Sequence, residues 1–284
     1  MLNKNGNIQT FIGCDAAYDD ADVVIFGAPY DSTTSNRPGT RFAASAMRLE
    51  SWGLETYSPY QDLDLTDKNI YDAGELELPF GRPEPALGMI EMTAAEIIKD
   101  GKKPLMIGGE HLVTLGAVRA AYVKYPDLRI IHLDAHTDLR EHYLGERLSH
   151  ATVLRRCHDH LGDDRIFQFG IRSGTREEFA WANGHTHLQK FDLKGYDQVI
   201  SGINDAPVYF TLDLDVLDPS VFPGTGTPEA GGISFMDLLG AITKLRRLNI
   251  VGCDVVELAP NYDATGISTA LACKVIRELL LSIS

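Results

Sequence analysis

The sequence predicts an α/β fold in which a parallel sheet is covered by helices on both faces. Near-continuous apolar runs of the kind found in buried strands recur along the 284 residues, and segments with helical periodicity separate them. No Pro/Ser-rich linker and no abrupt change in composition divides this pattern. We therefore expect a single domain that spans residues 1–284.

Six apolar runs predict the principal strands. In chain order they are ADVVIFGAP, KPLMIGG, LRIIHLDA, RIFQFGI, PVYFTLDLDV and LNIVGCDVVEL. Apolar residues with helical spacing predict helices over Ala86 to Lys99, Leu112 to Tyr125, His150 to Leu161, Phe235 to Arg246 and Ser268 to Leu281. Strands that are buried on both faces are apolar at nearly every position, so this alternation indicates a covered parallel sheet.

Composition excludes several classes of function. The formal net charge of -14 and the isoelectric point near 5.0 argue against nucleic acid or an anionic membrane as a partner, because no basic field would attract them. No run approaches the ~20 apolar residues of a membrane span, and the start lacks the apolar segment of a secretory signal, so we expect a cytoplasmic protein. The four cysteines lie far apart without a C-x-x-C pair and are expected to be buried free thiols.

Polar residues of metal-ligand type follow three of the predicted strands. In open α/β sheets ligands bind beyond the carboxyl ends of the strands, so these residues are the first candidates for a site. Side chains alternate along a strand, and continued extension would aim alternate residues the same way. The candidates are Glu110 and His111 after KPLMIGG, Asp134, His136 and Asp138 after LRIIHL, and Asp213 and Asp215 after PVYFTL.

Two histidines and four aspartates in one small volume predict a metal centre. Four neighbouring carboxylates cannot all ionise without compensating positive charge, since like charges raise one another's pKa. Two divalent cations would supply about four positive charges. Sulfur is absent, carboxylates dominate and imidazoles are in the minority, a set that suits Mn²⁺ better than structural zinc or Mg²⁺.

Other polar motifs are weaker candidates. CHDH at Cys157 to His160 and HTH at His185 to His187 are interpreted as solvated faces. His132 lies within an apolar run and is expected to be a hydrogen-bonded core group. The segment Pro223 to Gly232 is interpreted as a structured loop, and it matches neither the dinucleotide-binding nor the P-loop pattern.

The motifs GGEH, DAHTD and DLDVLDPSVFPGTGTPEAGG closely resemble those of the ureohydrolase family, which includes arginases, agmatinases and formiminoglutamases. The likeness extends from GAPYD at Gly27 to VVELAP at Val255. It implies a three-layer α/β/α, arginase-like fold with an eight-stranded, mostly parallel sheet. It also implies two Mn²⁺ per subunit at the strand ends and assembly as a homotrimer or homohexamer.

The resemblance also implies roles for individual residues. A hydroxide shared by the two metals would attack the central carbon of a guanidinium group. Glu257 would bind that guanidinium, His150 would carry a proton to the leaving amine, and Asp138 would belong to the catalytic set as well as to the ligands. By position, one metal would be held by His111, Asp134, Asp138 and Asp213, and the other by His136, Asp134, Asp213 and Asp215.

The loop LREHYLGERLSHAT after DAHTD bears on the substrate. It lacks the Asn and Ser positions with which arginases bind the amino-acid end of arginine, and it looks like the loop of bacterial and archaeal agmatinases. We therefore predict hydrolysis of agmatine to putrescine and urea, a step of polyamine biosynthesis. Glu141 or Glu146 could meet the ammonium group of agmatine.

Arg140 keeps a second class of substrate open, because a guanidinium at the mouth could bind the carboxylate of 4-guanidinobutanoate or formiminoglutamate. Formiminoglutamases have a similar DLR but follow it with an SGT-type segment where this chain has SHAT. An arginase and a non-catalytic metal-binding protein are the less favoured alternatives.

Overall fold

The structure is a computed structural model that describes residue 2, residues 4–6 and residues 9–284. Its strands are β1 (Val23–Ala28), β2 (Tyr57–Ser58), β3 (Leu63–Asp64), β4 (Ile70–Glu75), β5 (Lys103–Gly108), β6 (Arg129–Leu133), β7 (Ile166–Ile171), β8 (His187–Lys190), β9 (Pro207–Asp213) and β10 (Asn249–Val256). Its helices are α1 (Ala43–Ser51), α2 (Pro83–Lys99), α3 (Thr114–Lys124), α4 (Val153–Leu161), α5 (Arg176–Ala182), α6 (Tyr196–Gly202), α7 (Phe235–Lys244) and α8 (Ile267–Ile283).

Eight strands form one sheet in the order β4-β1-β5-β10-β9-β6-β7-β8, and every neighbouring pair is parallel. Strands β2 and β3 form a separate antiparallel pair. Helices α1, α6, α7 and α8 contribute to the core on one face, and α2, α3, α4 and α5 contribute to the core on the other. The predicted α/β/α fold with an eight-stranded sheet is confirmed.

Successive side chains along each central strand point to opposite faces of the sheet and pack into the two apolar cores. In β1, Val23 and Ile25 pack into one apolar cluster, whereas Val24 and Phe26 pack into the other. Burying each such side chain stabilises the fold by about 1.5–3 kcal/mol, so both faces require apolar residues. This explains why the interior strands are continuous apolar runs.

Several elements were not predicted from the sequence: β2, β3, β4 and β8, and helices α1, α5 and α6. Both edge strands of the main sheet interrupt the apolar pattern. Strand β8 has the sequence HLQK and is half-exposed, and β4 contains the buried Asp72, whose carboxylate lies 2.8 Å from a guanidinium nitrogen of Arg48. That ion pair places a charged group inside a buried strand.

The candidate residues follow four adjacent strands at the centre of the sheet. His111 follows β5, Glu257 follows β10, Asp213 ends β9 and Asp134 follows β6. Because all these strands are parallel, their carboxyl ends meet at one edge. The turn after β5 needs glycine, since a Cβ on Gly109 would lie 2.3 Å from the carbonyl oxygen of residue 30.

The expected continuation of the strands through the ligand motifs was wrong. Strand β6 ends at Leu133, so the DAHTD residues 134–138 lie in a loop, and Asp215 lies in the short 3₁₀ turn Leu214–Val216. Loop geometry, rather than strand alternation, therefore brings these side chains together.

Two further expectations can be compared with the described chain. The four cysteines are buried and free, as predicted. Within residues 2, 4–6 and 9–284, no helix combines the length and the apolar character that crossing a bilayer requires.

Candidate active site

His111 points a ring nitrogen into a group of carboxylates. Its Nδ1 lies 3.1 Å from Oδ2 of Asp134, 3.1 Å from Oδ2 of Asp138 and 3.4 Å from Oδ2 of Asp213. The atom is buried and makes no hydrogen bond of acceptable geometry. A buried polar atom without a partner is costly, so this arrangement calls for a group that binds nitrogen and carboxylate oxygen together.

A buried network behind His111 determines which of its nitrogens carries hydrogen. Oγ1 of Thr211 donates to Oδ1 of Asp254 at 2.6 Å, and the hydroxyl of Tyr209 donates to Oδ2 of the same carboxylate at 2.8 Å. Because the Thr211 hydroxyl has donated its only hydrogen, its oxygen accepts from Nε2 of His111, 3.0 Å away. Nε2 therefore carries a hydrogen, so the ring in its neutral form presents a lone pair at Nδ1, as a metal ligand does.

His136 forms the second part of the cluster. Its Nδ1 lies 3.0 Å from Oδ2 of Asp215 and 3.5 Å from Oδ1 of Asp134. The Asp215 carboxylate also accepts from the main-chain N–H of Ala135, and the Asp215 N–H donates to Asp213 at 2.8 Å. Asp134 lies against His111 with one oxygen and against His136 with the other, which is the position of a bridging residue.

His132 supports Asp134 from inside the core. The side-chain amide of Gln168 donates to Nδ1 of His132 at 3.1 Å, so Nε2 carries the hydrogen and donates to Oδ2 of Asp134 at 2.8 Å. Burial lowers the pKa of His132 and keeps it neutral. It is the hydrogen-bonded core residue that the sequence indicated.

Electrostatics provide a test of whether the cluster suits cations. Burial and the charge of Asp134 raise the pKa of Asp138 to about 7, and burial with the charges of Asp215 and Asp134 raises that of Asp213 well above its usual range. Burial alone would lower the pKa of His111, but the facing carboxylates raise it well above its ordinary value. The cluster thus lacks positive charge, and its donor set of imidazole nitrogen and carboxylate oxygen fits divalent metal ions.

Glu257 lies beside this cluster with its backbone in the left-handed region. Its φ is 66° and that of Asp138 is 52°, conformations that cost about 1–3 kcal/mol for residues other than glycine and concentrate at functional sites. The N–H of Glu257 donates to the carbonyl of Gly109, and its Oε1 accepts from the N–H of His111 at 2.7 Å. Burial and, to a smaller extent, the charges of Glu110 and Asp215 raise the pKa of Glu257 well above its usual range, although the hydrogen bond from His111 acts in the opposite direction.

His150 stands at the mouth, in the first turn before α4. The Ser149 side chain caps this turn, and Nδ1 of His150 lies 2.9 Å from the carbonyl oxygen of Thr33. Nδ1 must therefore be the donor, which leaves the Nε2 lone pair to accept from the hydroxyl of Ser35 at 3.3 Å. Burial lowers the pKa of His150 to about 4, so the imidazole is neutral at physiological pH.

The site opens into one cavity of about 270 Å³. Of the predicted site residues, His136, Asp138, His150, Asp213 and Glu257 line its wall, while His111, Asp134 and Asp215 lie behind and support them.

Arg140 also lines this cavity, but its charge is already engaged. Its Nε lies 3.4 Å from Oε2 of the buried Glu178, and its guanidinium carbon lies 4.4 Å from the centre of the Tyr143 ring. Glu141 and Glu146, either of which could meet the ammonium group of agmatine by the sequence, do not line this cavity. Glu141 pairs with Arg155 and Arg156, and Glu146 lines a neighbouring pocket.

The weaker motifs lie outside the cluster or serve it indirectly. The interpretation of CHDH as a solvated face was wrong in part, because Cys157 is fully buried and the His158 side chain is only 15% exposed. The loop from Pro223 to Gly232 is structured as predicted: the Arg172 guanidinium donates to the carbonyls of Asp215 and Glu229 and holds the loop against the site.

Sequence reasoning named Glu110 as a candidate without a role, and it missed Thr33, Thr211 and Asp254, which position this chemistry. Glu110 accepts hydrogen bonds from both the N–H and the hydroxyl of Thr33, and Asp254 anchors Thr211 behind His111. Burial raises the pKa of Glu110 to about 7. Asp254 could have been found from the sequence, because it is an acidic residue within the apolar run GCDVVEL. Thr33 could not, because only the tertiary fold brings it to His150.

Comparison with known proteins supplies the family. A profile of the Arginase family matches residues 21–282. The chain is 48% identical over 278 residues to the agmatinase of Bacillus subtilis, and the match covers 96% of each chain. It is 33% identical to the guanidinobutyrase of Pseudomonas aeruginosa, over 93% of this chain and 87% of the relative. The agmatine ureohydrolase of Thermoplasma volcanium superposes with a TM-score of 0.90 at 34% identity, over 98% of this chain and 95% of that one. This chain therefore belongs to the arginase family.

Proposed function

We propose that this chain hydrolyses agmatine to putrescine and urea. The observation that carries the proposal is one cavity in which Glu257 and His150 flank a largely buried cluster of two histidines and four aspartates. The similarity to the Bacillus subtilis agmatinase over 96% of both chains supports the same reaction.

The cluster is proposed to hold two Mn²⁺ ions. His111, Asp134, Asp138 and Asp213 would hold one ion, and His136, Asp134, Asp213 and Asp215 the other. When bound, two divalent cations lower the pKa of water toward neutrality and so supply hydroxide at physiological pH. The unpartnered Nδ1 of His111 and the two contacts of Asp134 support this assignment.

Glu257 is proposed to orient the substrate. Its Oε1 is held by the N–H of His111, so the carboxylate keeps a defined direction toward the cavity. A carboxylate can accept paired N–H bonds from a planar guanidinium, which fixes the plane of the cation and exposes its central carbon. A cationic substrate would also hold Glu257 in its ionised form, against the effect of burial.

His150 is proposed to move the proton. Its Nε2 carries a lone pair at the mouth of the cavity, and the other ring nitrogen is occupied by the Thr33 carbonyl. Nε2 can therefore accept a proton from solvent or from the attacking water and donate it to the amine nitrogen as the C–N bond breaks.

A carboxylate-bearing substrate such as 4-guanidinobutanoate is the second candidate. Arg140 lines the cavity, and the Pseudomonas aeruginosa relative is a guanidinobutyrase. Agmatine is favoured because the buried Glu178 carboxylate, 3.4 Å from Nε of Arg140, offsets part of the charge of this guanidinium and weakens its attraction for a substrate carboxylate.

The substrate experiment compares four compounds. Manganese-loaded protein is incubated separately with agmatine, arginine, 4-guanidinobutanoate and formiminoglutamate, and urea or formamide is measured. Urea from agmatine at the highest kcat/KM supports the proposal. No urea from agmatine, with turnover of a carboxylate-bearing compound, would refute it.

The assembly and the location remain predictions. We propose a homotrimer or homohexamer in the cytoplasm, with residues 1–284 as one domain. Light scattering after gel filtration tests the subunit number, and limited proteolysis tests the domain.

A further inference from the structure

A second cluster of metal-binding side-chain types lies at the amino ends of the strands, whereas the cavity lies at their carboxyl ends. His158 lies in the last turn of α4, Asp163 in the turn before β7, and His185 in the turn before β8. Turns that precede parallel strands lie at their amino ends, so the length of the sheet separates this cluster from the proposed active site. The chemistry proposed above makes no use of it.

Both imidazole rings point at the same carboxylate oxygen. Nε2 of His158 lies 2.8 Å from Oδ1 of Asp163, and Nδ1 of His185 lies 2.6 Å from it. One ligand atom from each residue lies within 4.8 Å of the other two. Tetrahedral zinc with bonds of about 2.0–2.2 Å keeps its donor atoms about 3.4 Å apart, so side-chain shifts of roughly 1 Å would admit an ion.

Trp181 packs against the imidazole rings of both His158 and His185. Its indole stacks on His185 with ring centres 4.4 Å apart and an angle of 11°, and it meets His158 edge-on at 4.7 Å. The guanidinium carbon of Arg155 lies 3.8 Å from the indole centre. Because the rings are held before any ligand arrives, little side-chain entropy is lost on binding.

The cluster is also open to solvent. The side chains of His158, Asp163 and His185 are 15%, 56% and 39% exposed. A hydrated ion can reach them, and water can fill the positions that the protein leaves free.

We propose that His158, Asp163 and His185 form a peripheral binding site for a divalent transition-metal ion of the zinc class, completed by water. Two imidazoles and one carboxylate favour Zn²⁺, Ni²⁺ or Cu²⁺ over Mn²⁺ and Mg²⁺, the reverse of the carboxylate-rich cluster at the other edge. A bound ion would link α4 to the turns before β7 and β8. The inference is independent of the proposed function.

The test counts zinc. Wild-type protein and variants are dialysed against buffered Zn²⁺, and bound metal is measured by mass spectrometry. His185→Phe removes a ligand but keeps a ring that can stack on Trp181, whereas the control His160→Phe changes a histidine of the same helix that faces Tyr122 instead. Zinc that enters the active-site cluster is common to all three proteins and cancels in the comparison.

Wild type and His160→Phe should bind one more equivalent of zinc than His185→Phe. Asp163→Asn, an exposed change that leaves the fold intact, should weaken the extra site by at least about 10-fold, and it serves as the test if His185→Phe does not fold by circular dichroism. Equal zinc counts in wild type and His185→Phe, or equal zinc affinity of the extra site in wild type and Asp163→Asn, would overturn the inference, whatever the enzymatic activity.

Discussion

The carbonyl oxygen of Thr33 lies 2.9 Å from Nδ1 of His150, and this contact determines the tautomer of the histidine. Thr33 is itself held by Glu110, which accepts from its N–H at 2.9 Å and from its hydroxyl at 2.5 Å. A loop far from α4 in sequence thus aims the Nε2 lone pair of His150 at the cavity.

His150→Ala should lower kcat by about 100-fold or more, the usual effect of losing a general acid or base. The cluster does not include His150, so metal content should equal that of wild type. Steady-state kinetics and metal analysis of the same samples check both statements. Loss of metal in parallel with activity would assign His150 a structural role instead.

The pKa of His150 predicts a pH dependence of stability. Because burial lowers this pKa from 6.5 to about 4, the folded protein binds fewer protons than the unfolded chain between these values. The free energy of unfolding should therefore fall as pH decreases from about 6.5 toward 4. Urea denaturation of wild type and His150→Gln measures this, and the variant should show a shallower decline; parallel curves would contradict the prediction.

Asp134→Ala should abolish turnover and remove both metals, because Asp134 lies against both His111 and His136. His136→Ala should retain about one metal equivalent, since the group around His111 stays complete. Metal analysis after dialysis distinguishes the two variants. Equal losses would show that Asp134 does not bridge the two groups.

Arg140→Gln should change kcat/KM for agmatine by less than about threefold. Glu178 and Tyr143 already engage this guanidinium, and a cationic substrate tail gains nothing from it. Parallel assays with 4-guanidinobutanoate serve as the comparison. A large loss confined to the carboxylate-bearing compound would favour the second candidate function.

Asp254→Ala should destabilise the protein by several kcal/mol, because it leaves the hydroxyls of Tyr209 and Thr211 buried without an acceptor. Each unsatisfied buried group costs about 1–3 kcal/mol. Tyr209→Phe removes a single donor and is the matched control, with a smaller expected loss. Urea denaturation gives both values, and equal values would argue against the network.

Prediction of the fold worked where burial dictates composition. The interior strands must be apolar on both faces, so β1, β5, β6, β7, β9 and β10 are legible as runs. The two edge strands need not be apolar on both faces, because one is half-exposed and the other buries an ion pair between Asp72 and Arg48. The local sequence pattern therefore does not predict them as strands.

The sequence by itself determined the type of sheet, the strand ends at which chemistry concentrates, and the residue types that suit a metal centre, because burial and ligand chemistry restrict composition locally. Tertiary structure decided which side chains meet. Thr33 reaches His150 and His185 reaches Asp163 through loops whose conformations depend on packing elsewhere in the fold, and such contacts leave no period or spacing in the chain.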